Sequence, residues 1–125
     1  MKKSLLELYA LLVCFAMVAS FTISLGIGLY DIAEVFAPEL TLGSISFEKH
    51  STNESFTALW SQERLQNHTP EQIKTLREES YQISIIAKRR EAYQSLVATS
   101  IVIAISVVVF AIHWKIAKKS RIGRK

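Results

Sequence analysis

Two long stretches without a charged residue dominate the pattern of hydrophobic and polar positions along this chain. Residues 8–30 and residues 92–114 each run for 23 positions without Asp, Glu, Lys or Arg. A bilayer core about 30 Å thick needs roughly 20 apolar residues of helix, because lipid offers no partner to unpaired backbone groups. The pattern therefore predicts an all-α membrane protein with two antiparallel transmembrane helices, 8–30 and 92–114.

The second of these stretches follows a strong helix-start signal. Thr69 can cap a helix, Pro70 suits its first position, and Gln72 can bond back to the capping residue. No glycine or proline follows until Gly123, so nothing in between ends a helix. We therefore expect one helix from Pro70 to about Lys118, in which the second span continues a long extracytoplasmic helix.

The segment between the spans is expected to be less regular before that helix begins. Pro38, Gly43 and a Ser/Thr/Asn-rich patch at 51–55 predict turns, with one short helix over about 55–66. The predicted organisation is an N-terminus (1–7), a first span (8–30), a loop (31–69), an outer helix (70–91), a second span (92–114) and a basic tail (115–125).

Charge is divided unevenly along the chain and predicts its orientation. Residues 1–30 and 92–125 together contain eight Lys or Arg residues and one acid, Glu7, so their net charge is +7. Residues 31–91 contain seven basic residues and ten acids, so their net charge is −3. Basic residues in short flanks mark the cytoplasmic side. Both termini are therefore predicted to be cytoplasmic, in a plan typical of small bacterial inner-membrane proteins. Lys88-Arg89-Arg90, just before the second span, is the one discordant feature.

The first stretch has two alternative interpretations. Val18-Ala19-Ser20 would tolerate signal-peptide cleavage, but the apolar run is longer than a signal peptide needs, so we favour an uncleaved anchor. A lipoprotein site at Cys14 would need a small residue where Val13 stands. We interpret Cys14 as a small lipid-buried hydrophobe.

Small residues recur at every fourth position of the first span and predict a helix-packing surface. Small side chains let two helices approach closely where no hydrophobic effect draws them together. Either the second span or another copy of the chain could occupy this surface. Its members are Ala16, Ser20, Ser24 and Gly28.

An apolar stripe on the outer helix also needs a partner. Its members fall mostly three or four positions apart, the spacing of one helix face. We favour packing within the chain, against the segment of Phe56, Leu59 and Trp60, over packing against another subunit. The stripe comprises Ile73, Leu76, Ile83, Ile86 and Tyr93, followed by Val97.

The basic tail is expected to hold the orientation of the chain by attracting anionic lipid. This function is preferred over nucleic-acid binding, so the lipid bilayer is a predicted partner and nucleic acid is not. Glu7 and His113 lie near the cytoplasmic ends of the spans, where headgroup anchoring is expected. The tail residues are Lys115, Lys118, Lys119, Arg121, Arg124 and Lys125.

Catalytic and cofactor chemistry has little support in the sequence. His50 and His68 lie near acidic residues, but their spacing matches no metal motif, and we expect them to be solvated. Neither a phosphate-binding glycine loop nor a nucleophile elbow is present. We therefore expect no enzyme, no metal and no cofactor.

Two functions fit this plan. The first is a non-enzymatic accessory or scaffold subunit that acts through helix–helix contacts in a larger membrane complex. The alternative is a homo-oligomeric pore, because the inside termini, two spans and outer loop are similar to those of large-conductance mechanosensitive channels. That similarity covers length, topology and the small-residue first span; the loop and tail carry none of that family's motifs.

Overall fold

Every regular element in the part of the chain that the computed structural model describes, residues 5–122, is a helix. No strand occurs within these residues, which confirms the all-helical prediction. In chain order the elements are α1 (Leu5–Phe36), α2 (Pro38–Thr41), α3 (Ser44–Ser51), α4 (Asn53–Thr57), α5 (Gln62–Gln66) and α6 (Pro70–Ile122).

The two long helices, α1 and α6, are both long and apolar enough to cross a membrane. Their most apolar windows have mean hydropathies of 2.3 and 2.7, yet only 17% and 11% of the residues in those windows are buried. Most of these apolar side chains are therefore not buried by other residues of the described range 5–122, unlike those of a core helix in a globular domain.

Helix α6 begins where the sequence predicts and extends for 53 residues. The Gln72 backbone N–H donates to the Thr69 hydroxyl (3.3 Å), and the Thr69 N–H donates to the Gln72 side-chain carbonyl (2.8 Å). This reciprocal capping box supplies partners to backbone groups that a helix start leaves unpaired. The predicted start is confirmed.

The loop prediction was wrong about residues 31–54, which are largely helical. Helix α1 continues past Tyr30 to Phe36 and ends just before Pro38, since the residue before a proline is driven out of helical geometry. The expected helix over 55–66 is two helices, α4 and α5. The Thr52 and Ser61 hydroxyls each accept a backbone N–H at a helix start. Thr52, in the patch interpreted as turns, is thus a helix cap.

The chain forms two compact units. The first contains α1 up to Ile32 and α6 from Gln94 onward, so it is a pair of packed apolar helices. The second unit, Ala33–Tyr93, contains the end of α1, the four short helices and the first part of α6.

Candidate functional site

The buried positions on the face of α1 that packs against α6 in the first unit carry small or polar side chains. Together with the half-buried Met17 and Phe21, they recur at alternating steps of three and four residues, which average to the 3.5-residue period of a coiled-coil seam. We call this face the seam; its buried α1 members are Glu7, Ala10, Cys14, Ser24, Gly28 and Asp31.

Contacts across the seam are close because both helices present small groups. A Cβ atom added at Gly28 would lie 3.4 Å from the Thr99 methyl carbon. The Ser106 hydroxyl donates to the Ser20 hydroxyl oxygen at 3.4 Å. Both pairs join α1 directly to α6, as small residues at helix interfaces commonly do.

Charged groups lie near the two ends of the seam. The Ser95 hydroxyl donates to the buried Asp31 carboxylate at 2.5 Å. The Arg121 Nε lies 3.4 Å from the Glu7 carboxylate, which is also buried. Early residues of α1 thus contact late residues of α6, and late residues of α1 contact earlier ones of α6.

The predicted small-residue stripe coincides only partly with the seam. Ser24 and Gly28 are buried and Ser20 is half-buried, whereas Ala16 is exposed. A step of four residues turns about 400° around a helix, so the stripe drifts about 40° per step and Ala16 lies about 120° from Gly28. Steps alternating between three and four would have identified Ala10 and Cys14 from the sequence.

Three residues in the N-terminal half of α1 and the C-terminal part of α6 have contacts that the sequence did not reveal. Cys14, expected in lipid, is buried in the seam, and its thiol lies 3.9 Å from the Phe110 carbonyl oxygen. Glu7, expected at the headgroups, is paired with Arg121. The His113 ring packs edge-on against Tyr9, with 5.9 Å between ring centroids.

An ion pair attaches the end of α1 to α6 in the second unit. The Lys88 ammonium lies 3.1 Å from the carboxylate of Glu34, which is only 4% exposed, and 3.6 Å from that of Glu91. A buried carboxylate is stable only when its charge is compensated. Lys88 is therefore a structural cation, and of the discordant basic triplet only Arg89 and Arg90 remain exposed.

His50 attaches α3 to the outer part of α6. Its Nδ1 lies 2.6 Å from the Ser46 carbonyl oxygen and its Nε2 lies 2.9 Å from the Ser80 hydroxyl. Because a carbonyl only accepts, Nδ1 carries a proton, and in the neutral ring Nε2 accepts from Ser80. The expectation that His50 is solvated was therefore wrong; the ring also packs against Phe56 and Tyr81.

Aromatic contacts continue from this histidine through the short helices. Phe56 packs against Trp60, and Trp60 against His68, with ring centroids 5.6 and 5.4 Å apart. The Arg64 guanidinium lies 3.9 Å from the centre of the Trp60 ring, a cation–π contact. Leu59, grouped with these aromatics in the prediction, is instead 98% exposed.

The predicted outer stripe divides into a packed part and an exposed part. Ile73 is buried and Leu76 half-buried, but Ile83, Ile86 and Tyr93 are exposed. Helix α6 instead packs on α3 and the end of α1 through a different face, which includes Ser80, Tyr81 and Lys88. Among the residues that the structure describes, nothing covers the more C-terminal part of the stripe.

The tail carries cations on exposed positions of α6. Lys115, Lys118 and Lys119 are exposed, and Arg121 makes the ion pair with Glu7. The other two predicted tail residues, Arg124 and Lys125, lie outside the described residues.

The Ser80–His50 pair resembles a nucleophile next to its base, but its surroundings do not suit acyl transfer. Such chemistry needs free N–H donors for the developing oxyanion. Ser80 lies inside α6, where backbone N–H groups are used in the helix itself. Across residues 5–122, no group of three or more His, Cys, Asp or Glu side chains is arranged to hold a metal ion.

Comparison with known proteins adds no assignment: no family model, no curated protein and no solved structure matches this chain. The class defined by the fold is an all-helical protein in which two long apolar helices pack against each other.

Proposed function

We propose that this protein is an integral membrane accessory subunit, inserted as an antiparallel helical hairpin with both termini in the cytoplasm. Two observations support insertion: exposed apolar side chains surround α1 and the later part of α6, and polar groups of both helices are directed into the seam. Polar groups inside a bilayer need protein partners, whereas apolar groups are stable against lipid.

The order of contacts along the seam supports the antiparallel arrangement. Glu7 pairs with Arg121 at one end, and Asp31 pairs with Ser95 towards the other. The compensation of Lys88 by Glu34 and Glu91 also reduces the conflict in the charge pattern. The cytoplasmic tail then carries the larger uncompensated positive charge, as expected for this orientation.

The uncovered part of the outer stripe carries the functional proposal. Ile83 is 67% exposed and Ile86 is 63% exposed. They precede residue 92 by nine and six positions, so they lie about 14 and 9 Å along the helix from the start of the uncharged stretch. That position is outside the hydrocarbon core, where exposed apolar side chains mark contact with another protein. Partner recognition is therefore assigned to this face.

Site-specific photo-crosslinking in the native membrane tests this role. A crosslinking residue at Ile86 is expected to form one adduct of defined mass with another membrane protein. The control position is Lys74, which is exposed and lies about 120° around α6 from Ile86. Ile83→Glu should abolish the Ile86 adduct without lowering the amount of folded protein. Equal adducts from both positions would refute the assignment.

The pore alternative makes a different prediction for the same variants. A homo-oligomeric pore gives Ile86 adducts only with further copies of the chain, and the purified protein alone conducts ions in liposomes. An accessory subunit gives no conductance across a range of tension and voltage. Ion flux from the purified protein would replace the proposal with the pore.

A further inference from the structure

Arg89 and Arg90 are the only members of the basic triplet that the fold does not use. Both are exposed, and neither makes an ion pair or hydrogen bond with another residue in the described range 5–122. Lys88, by contrast, is held between Glu34 and Glu91. The two arginines are therefore available to a ligand outside the chain.

The helix geometry places Arg90 on the same face of α6 as two exposed apolar side chains. Arg90 lies four positions after Ile86 and three before Tyr93, so the three share one exposed face of α6. Lys88 lies about 160° around the helix from Arg90, towards α1. Arg90 thus projects away from the packed side of the second unit, and Arg89, about 100° around the helix from it, is exposed at the edge of that side.

Their depth relative to the uncharged stretch matches that of lipid phosphates. Arg90 and Arg89 precede residue 92 by two and three positions, which is about 3 and 4.5 Å along the helix. The headgroup layer extends roughly 5 to 7 Å beyond each side of the hydrocarbon core. Tyr93, at the start of the uncharged stretch, occupies the level at which interfacial tyrosines concentrate.

We infer that Arg89 and Arg90 bind the headgroup phosphates of anionic phospholipid in the outer leaflet. The planar guanidinium fork pairs with phosphate oxygens through two parallel hydrogen bonds. The inference rests on the proposed membrane insertion.

A second copy of this chain does not fit the same face. Two copies inserted in the same orientation and paired along it would bring Arg90 against Arg90, and like charges repel strongly near a low-dielectric boundary. Glu91, the nearest acid in the sequence, is engaged by Lys88. Ile83 and Ile86, assigned above to a protein partner, lie further out along α6 than the arginines.

The test measures which lipid contacts this position. The full chain carries a photo-crosslinking residue in place of Tyr93 and is reconstituted in vesicles of equal phosphatidylglycerol and phosphatidylcholine. The phosphatidylglycerol adduct is expected to predominate, and mass spectrometry quantifies both adducts. Arg89→Gln with Arg90→Gln should lower this preference about fivefold for each arginine removed.

Two further variants separate charge at this site from charge elsewhere. Arg89→Lys with Arg90→Lys keeps the charge and should retain most of the preference, which also controls for folding. Lys118→Gln with Lys119→Gln removes the same charge from the tail and should leave the Tyr93 adducts unchanged.

Three outcomes would overturn the inference, and they have different meanings. Equal adducts of both lipids, unaffected by the arginine substitutions, mean that insertion is correct but that the arginines bind no phosphate. Adducts with a second copy mean that the face is a self-interface. Absence of any lipid adduct at position 93 means that the proposed insertion itself is wrong.

Discussion

Replacing Gly28 by leucine tests whether close approach across the seam stabilises the helix pair. A Cβ at this position would lie 3.4 Å from the Thr99 methyl carbon, which leaves no space for the rest of a leucine side chain. Gly26 provides a matched control on the same helix, because a Cβ added there meets nothing within 4 Å. The two substitutions change the same chemistry on different faces of α1.

The expected difference in stability between the two leucine variants follows from two opposing effects. Leucine in place of glycine favours a helix by about 1 kcal/mol at either position. Forcing extra carbon atoms into a packed contact costs about 1 to 3 kcal/mol, and only Gly28→Leu incurs this cost. We therefore expect Gly28→Leu to be less stable than Gly26→Leu by about 1 to 3 kcal/mol. Gly28→Ala should be more stable than the wild type by up to about 1 kcal/mol, since its single methyl group is at ordinary contact distance and alanine favours the helix.

The assay is reversible unfolding in mixed detergent micelles, followed by the fluorescence of Trp114 in the first unit. A second readout replaces Ser20 and Ser106 by cysteines in a Cys14→Ala background and measures the rate of disulfide formation between them. Gly28→Leu should slow this reaction and Gly26→Leu should not. If both leucine variants lose stability equally, the seam does not depend on the small size of Gly28.

Other predictions concern the second unit and the start of α6. Lys88→Met should destabilise the protein by about 1 to 3 kcal/mol because it leaves the buried Glu34 carboxylate uncompensated. Adding Glu34→Gln should restore much of the lost stability, measured by chemical unfolding. If the second substitution restores nothing, the pairing of Lys88 with Glu34 is contradicted. His50→Ala removes two hydrogen bonds and should destabilise the second unit by about 1 to 3 kcal/mol, measured as earlier exposure of Trp60 to a fluorescence quencher; unchanged quenching would refute that role. Thr69→Ala removes the helix cap and should cost about 1 kcal/mol, with faster amide exchange confined to the first turn of α6; uniform exchange along α6 would contradict a local cap.

Local sequence signals were sufficient to predict the two long helices and the start of α6. The start of α6 depends on Thr69, Pro70 and Gln72, which interact within a single turn. The apolar stretches likewise predict helix from their own length and composition. The same kind of local reasoning was misleading between residues 31 and 54, because serine and threonine are common both in turns and at helix caps. Which of the two occurs at Thr52 depends on the helix that follows it.

The packing faces were predicted less well, because they depend on contacts between distant segments. A four-residue repeat was chosen for the first span, but two helices in extended contact require an average step of 3.5, which excludes Ala16 and includes Ala10 and Cys14. On the outer helix, the predicted stripe joined residues that do not share one face, because Ile83 and Ile86 lie about 80° and 140° around α6 from Ile73. Ile73 is buried, and the other two are exposed.

By itself, the sequence determined that this chain is helical, that two of its helices are long and apolar enough to span a membrane, and that the second begins at Pro70. These properties arise from composition and from hydrogen bonds between near neighbours. Only the tertiary structure decided that Lys88 compensates Glu34, that His50 meets Ser80, and that Gly28 meets Thr99. Each of those pairs joins residues at least 30 positions apart, so their contact depends on how the helices pack and not on any local pattern.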